Sequence, residues 1–370
     1  MHELLLDVKG QSSASSLLNN IYTSQRIPNA ILLTGTEGVG KFYSALQFLK
    51  MINGNSEIIN QKISNLAEPY VKLIQPLPRG KSETNFDLPL DKLSQEDIDS
   101  INEQIKQKSK NPYYQININN ANNIKINSIR EINKFLALNY NEINYRGIIL
   151  IDAHKMSTEA QNAFLKNLEE PPENAIFLLL SDQPELLLST IKSRCWTVNF
   201  APLSNFELKQ ILLKKFNYSE ETEDAIEEIL PFSNGSATTA VTYLETNFEK
   251  IVQKTISVLR YSLAGKYFTA SKEFSSLLES SSEIDIKNII DLIIMWFNDT
   301  LKMKYNINGV KFKNYTDTLE KYNSRFYYFD INEIVNNLNR TKNAIDNNVN
   351  LNLIMMKIIF DISSIGMKTK

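Results

Sequence analysis

Residues 35–42 read Gly-Thr-Glu-Gly-Val-Gly-Lys-Phe. Gly35, Gly40 and Lys41 meet the spacing of a phosphate-binding loop, G-x-x-x-x-G-K. In such a loop, backbone N–H groups at a helix N-terminus cradle phosphates and the lysine adds a point charge. The next residue is normally Ser or Thr, whose hydroxyl holds Mg²⁺, and Phe42 has no oxygen to offer. The nucleotide contacts expected are Gly35, Gly38, Gly40 and Lys41. Loss of the hydroxyl counts against hydrolysis more than against binding. The competing reading is a glycine turn that only packs a helix closely on a sheet.

Asp152 ends an apolar run, 147–151, where a P-loop enzyme places its metal-binding acid, but Ala153 follows it where a second acid is common. Equally, Asp152 caps the turn after a strand. Glu169-Glu170-Pro171-Pro172 reads as a helix end with solvated charges rather than a carboxylate pair. His154 has no second His or Cys at metal-ligand spacing, so no metal site is expected. Arg194, in Ser193-Arg194-Cys195, is a surface charge or an arginine finger that stabilises a transferring phosphoryl group in trans. Spacing alone favours the surface charge.

These residues need a parallel α/β scaffold, and the apolar patterning supplies one. A helix over 12–26 precedes a buried strand at 30–34, the glycine loop, and a helix over 42–53. This strand–loop–helix context is the one the P-loop reading requires. Residues 71–76 form a possible second strand. Residues 77–113 are polar and broken by Pro78, Gly80, Pro89 and Pro112, an insertion with one amphipathic helix near 94–108. A strand at 114–118 is followed by a helix over 128–138, capped by Asn127 or Ser128. Then come a strand at 147–151, a helix at 157–168, a strand at 175–180, a short helix within 184–195, and a strand at 196–200. Beyond Pro202 the pattern is helical over 203–245 and 249–365, with a hinge at 245–249. The expected division is an α/β domain at 1–202, a small helical lid at 203–246 and an all-α domain at 247–370.

The chain has 370 residues, 42% of them hydrophobic, and a formal net charge of −2, so no global basic field favours nucleic acid. Its single cysteine, Cys195, excludes an internal disulfide and a Cys₄ zinc site. Neither the N-terminal residues nor the apolar stretches at 289–297 and 351–362 read as a signal peptide or a membrane span. A cytoplasmic location is expected.

Residues 162–172, Asn-Ala-Phe-Leu-Lys-Asn-Leu-Glu-Glu-Pro-Pro, resemble the N-A-L-L-K-x-L-E-E-P-P run of the AAA+ clamp-loader family, with Phe164 in place of a leucine. Ser193-Arg194-Cys195 matches that family's S-R-C motif at the expected distance, and Gly10-Gln11 its early G-Q. The likeness covers about residues 5–245 well and the remainder in helical character. It implies a P-loop AAA+ domain with a parallel sheet, a helical lid and a helical collar.

The chain departs from the family pattern at Phe42, at the D-E acid pair reduced to Asp152, and at 235–239, where Gly-Ser-Ala-Thr-Thr lacks the sensor arginine. These three departures favour a non-hydrolysing stator over an ATP-hydrolysing subunit of the gamma/tau type. Absence of the zinc-binding cysteines means no zinc is expected. The resemblance implies partnership with gamma/tau and delta subunits in the DNA polymerase III clamp loader, and indirect contact with the sliding clamp and primer-template DNA. It implies that ATP or ADP, if held, is not hydrolysed, and that Arg194 reaches a neighbour's ATP. An ATP-hydrolysing subunit remains the alternative, and the 77–113 insertion has no assigned role.

Overall fold

The computed structural model describes residues 2–54, 56–84, 86–137, 140, 142–219, 222–279, 286–326, 330–345 and 349–368. Five strands form one sheet: β1 (Ala30–Thr34), β2 (Val71–Ile74), β3 (Arg146–Leu150), β4 (Ala175–Ser181) and β5 (Trp196–Asn199). Every pairing is parallel, and the order is β2-β3-β4-β1-β5. The three inner strands are buried along their whole length. That burial explains their unbroken apolar sequences, since helices cover both faces of a parallel sheet. Edge strand β5 buries only Val198.

Helices Ile126–Ala137 and Thr158–Glu169 bury Ile129, Ile132, Phe135, Ala160, Phe164 and Leu168 with Ile148, Leu150, Phe177 and Leu179 of the sheet. Phe164, the departure within the family run, meets Phe177 edge to face with centroids 5.3 Å apart. Ser157 caps the second of these helices by accepting from the Ala160 N–H at 3.1 Å.

The glycine-loop helix runs from Lys41 to Ile52. Gln11, of the early G-Q, is buried and stitches the loop to the segment after β5. Its amide donates to Val39 O at 3.1 Å and to Ala201 O at 2.7 Å, and it accepts from Ala201 N at 3.1 Å.

Two expectations need correction. Residues 114–118 form no strand, because side chains of the insertion helix take up their backbone groups. Gln104 bonds both the N–H and the C=O of Asn117, and Lys108 donates to Tyr114 O. The helix after them starts at Ile126, so Asn127 and Ser128 lie buried inside it rather than capping it. Asn127 instead donates to Thr84 O at 2.9 Å in the insertion. The expected end of that helix, Leu138, lies outside the described residues.

The insertion helix spans Gln95–Lys110 and opens on a Ser94–Asp97 capping box. Its base is clamped by Lys125, which bonds Glu83 at 2.8 Å and the carbonyls of Pro78 and Pro89.

The chain groups into two compact units, Met1–Glu220 with Asn234–Thr238, and Glu221–Ser233 with Thr239–Lys370. The segment expected as a lid, 203–246, is thus shared between them, with helix Asn205–Lys215 in the first. The second unit is helical throughout its described residues. Ile289, Ile293, Phe297, Ile358 and Ile362 are buried in it, while Leu351, Leu353 and Phe360 stay exposed. The expected helical run 249–365 includes 280–285, 327–329 and 346–348, which lie outside the described residues. No helix among the described residues is long and apolar enough to cross a membrane.

Candidate functional site

The glycine loop leaves β1 and enters its helix through three glycines at positive φ: Gly35 at 139°, Gly38 at 73° and Gly40 at 97°. At all three a side chain would also crowd close neighbours, and a Cβ on Gly35 would lie 2.5 Å from the Phe200 carbonyl oxygen. A Cβ on Gly38 would lie 2.5 Å from Ser236 Oγ, and one on Gly40 would lie 3.0 Å from the Tyr113 hydroxyl. The loop is therefore covered closely by 236–238 and by the end of the insertion. Ala237 N donates to Gly38 O at 3.1 Å. Thr238, in the stretch where the family carries its sensor arginine, lines the cleft and brings no charge to it.

Gly38, Gly40, Lys41, Phe42, Ile151, Asp152 and Asp182 line the cleft together with Lys108, Pro112, Tyr113 and Tyr114 of the insertion and its exit. What remains between them is a cavity of about 60 Å³, against roughly 300–1,000 Å³ for small-molecule sites in general.

Lys41 is buried and its ammonium donates to Gly35 O and, at 2.7 Å, to Thr36 O. Burial lowers its pKa, with Asp182, Glu37 and Asp152 working the other way. Phe42 is buried, and the Lys108 ammonium lies over its ring, 4.6 Å from the centroid. Lys108 also donates to Tyr114 O at 2.6 Å.

Burial pushes Lys108 down to about 8 from 10.5, with Glu37 and Asp152 opposing the shift. The folded chain thus releases this proton before the unfolded chain does. The penalty for burying the charge is complete below about pH 8 and is relieved as pH rises toward 10.5. Stability of the native chain relative to Lys108→Met is expected to rise over that window, read from urea midpoints. A flat difference would contradict the burial of the charge.

Asp152 follows β3 at φ 51° and pairs with Lys155 at 2.9 Å. Burial works against its charge, yet Lys155, His154 and Lys41 hold it below the usual carboxylate range. His154, for which chain spacing offered no partner ligand, lies with Asp152 and Asp182 so that one ligand atom of each falls within 4.8 Å of the others. Among the described residues, these three form the group whose ligand atoms lie close enough together to hold a divalent ion. His154 Nδ1 already faces Ser181 Oγ at 3.2 Å and Asp182 at 3.3 Å.

Arg194 is not among the residues lining this cleft. It is exposed just beyond helix Ser189–Lys192, donating to Thr190 O at 3.0 Å and to Glu169 Oε1 at 2.9 Å. Glu169, expected as a solvated charge, joins the E-E-P-P and S-R-C motifs. Such an exposed ion pair is worth about 0–1 kcal/mol, so the guanidinium is held only weakly. Burial pushes the Cys195 thiol up to about 12, and its side chain packs on the main core. The cysteine of S-R-C is therefore a packing residue without thiolate chemistry.

Among the cleft residues that sequence reasoning missed are Lys108, Tyr113, Tyr114 and Asp182. None belongs to a motif, and folding alone brings them to the loop.

The family model described as DNA polymerase III, delta subunit, matches residues 10–204, more than half of the chain. The model of that subunit's C-terminal part matches 261–364. Among curated relatives, DNA polymerase III subunit tau of Bacillus subtilis is 25% identical over 80% of this chain and 50% of its own length. Subunit delta' of Pseudomonas aeruginosa is 36% identical over 32% of this chain and 35% of its own. Subunit delta' of Haemophilus influenzae is 28% identical over 53% of this chain and 58% of its own. The chain spans about half the length of these relatives. A solved gamma subunit-related protein of DNA polymerase III from Thermotoga maritima is 18% identical with a TM-score of 0.42, over 95% of this chain and 99% of that one.

Proposed function

Since the chain belongs to the family of DNA polymerase III, delta subunit, we propose that it is a non-hydrolysing stator of the clamp loader, of the delta-prime kind. In this role it assembles in the cytoplasm with gamma/tau and delta subunits and supplies Arg194 in trans. It helps load the sliding clamp on primed DNA, and its contact with clamp and primer-template is indirect.

The observation that supports this reading best is the contrast between two places on the chain. The loop at 35–42 has a phenyl ring where a metal-binding hydroxyl belongs, and its lysine is engaged by the loop's own carbonyls. Arg194, by contrast, is exposed, outside that cleft, and held by a weak surface pair. A chain unable to hydrolyse its own nucleotide but still offering a guanidinium fits a donor to a neighbour's site. Any ATP or ADP reaching Gly35, Gly38, Gly40 and Lys41 is expected to be held without turnover, Asp152 notwithstanding.

Phosphate release by the purified chain with ATP and Mg²⁺ tests the first half of the proposal. The expected rate is background, unchanged by Lys41→Ala. Sustained turnover that disappears in Lys41→Ala would make the chain a motor subunit instead.

A further inference from the structure

The 77–113 insertion is the part of the α/β unit for which the function above has no use. Its helix ends beside the glycine loop, and Lys108, Pro112, Tyr113 and Tyr114 at that end line the nucleotide cleft. Lys108 is 9% exposed and sits on the face of Phe42. Pro112 lines the cleft, and Tyr113 is 3% exposed with its hydroxyl against Gly40. Just beyond them, Gln115 donates to Glu37 of the loop at 2.9 Å.

The charges point the same way. Residue 42 is where a P-loop protein binds Mg²⁺ through a hydroxyl. Here the positive charge beside residue 42 is the Lys108 ammonium, attracted by Glu37 and Asp152. The ring face attracts the ammonium through its quadrupole, and more strongly where water is excluded. Phe42 and Lys108 are thus two halves of one arrangement: the ring that displaced the hydroxyl is the platform for the ammonium.

We propose that the end of the insertion, Lys108 with residues 112–114, is an intramolecular occupant of the nucleotide cleft, its ammonium standing where residue 42 would otherwise present a divalent cation. The proposal rests on the reading of 35–42 as a nucleotide cleft without turnover, and it is independent of Arg194. A nucleoside triphosphate must displace this segment to enter. The chain is thereby kept in one nucleotide-free form while its neighbours cycle.

Titration of the full chain with a fluorescent ATP analogue and Mg²⁺ decides the matter, comparing the native protein with Lys108→Ser/Tyr113→Ala. The double variant is expected to bind at least about tenfold more tightly, about 1.4 kcal/mol. Equal affinity in the two proteins, with far-UV circular dichroism showing both folded, overturns the proposal. Should the double variant not fold, Tyr113→Ala and Lys108→Met are titrated singly, and no gain in either also overturns it. Phosphate release measured in the same samples keeps the two readings apart. Turnover by the native chain sinks the stator, whereas unchanged affinity sinks the occupant and leaves the stator standing.

Discussion

Replacing Arg194 by alanine in a reconstituted clamp loader is expected to lower ATP turnover at the served site on the order of 10³–10⁵-fold, the range of trans-acting arginines in phosphoryl transfer. The chain itself should fold normally, because the Arg194–Glu169 pair is exposed on both sides, at 37% and 51% of the side chains. Arg194→Lys should restore little, since an ammonium lacks the planar fork that grips two phosphate oxygens. Glu169→Gln is the informative companion. It removes the resting partner but not the guanidinium, so turnover should stay within a few-fold of native. Assemblies that form normally with Arg194→Ala and hydrolyse ATP at the native rate would sink the trans role.

Phe164→Ala is expected to cost about 3–5 kcal/mol, the usual range for emptying a buried phenyl site. Phe164 is wholly buried between helix Thr158–Glu169 and β4, against Phe177. Its edge-to-face partner Phe177 sits on β4, which is paired on both sides by parallel strands, so that wall of the site is held in place. Phe164→Leu, which restores the residue type common in the family run, should cost only about 1–2 kcal/mol, through lost volume and the lost aromatic pair. Urea denaturation of the full chain separates the two. A loss below about 1 kcal/mol for the alanine variant would mean that the pocket closes over it.

The α/β scaffold was legible because its chemistry is local. Unbroken apolar runs at 30–34, 147–151 and 175–180 are short enough to read as buried strands rather than helices, and all three are inner strands of the sheet. Ser157 and Ser94 stand where the expected helix ranges begin, and in the structure their hydroxyls cap those helices by accepting from a backbone N–H three residues on. The misreadings came where side chains from elsewhere took over backbone groups. Residues 114–118 have strand-like alternation, but Gln104 and Lys108 occupy polar groups that a sheet neighbour would need. Asn127 has cap chemistry, but Thr84 offers it a carbonyl from across the insertion.

The site divides along the same line. Gly35, Gly38, Gly40, Lys41 and the defect at Phe42 are contiguous, so their meaning travels with the sequence. So does the pairing of an intact S-R-C with a damaged glycine loop. What occupies the loop was invisible, because Lys108 and Tyr113 are more than sixty residues from Phe42 along the chain and carry no motif. Likewise, spacing could not show that Glu169 holds Arg194, or that His154 sits between two carboxylates. Short-range steric and hydrogen-bonding rules write strands, caps and loops into consecutive residues. Which distant cation lies on which ring is settled only when the hydrophobic core brings the elements together, and that decided whether the cleft at Phe42 stands open or filled.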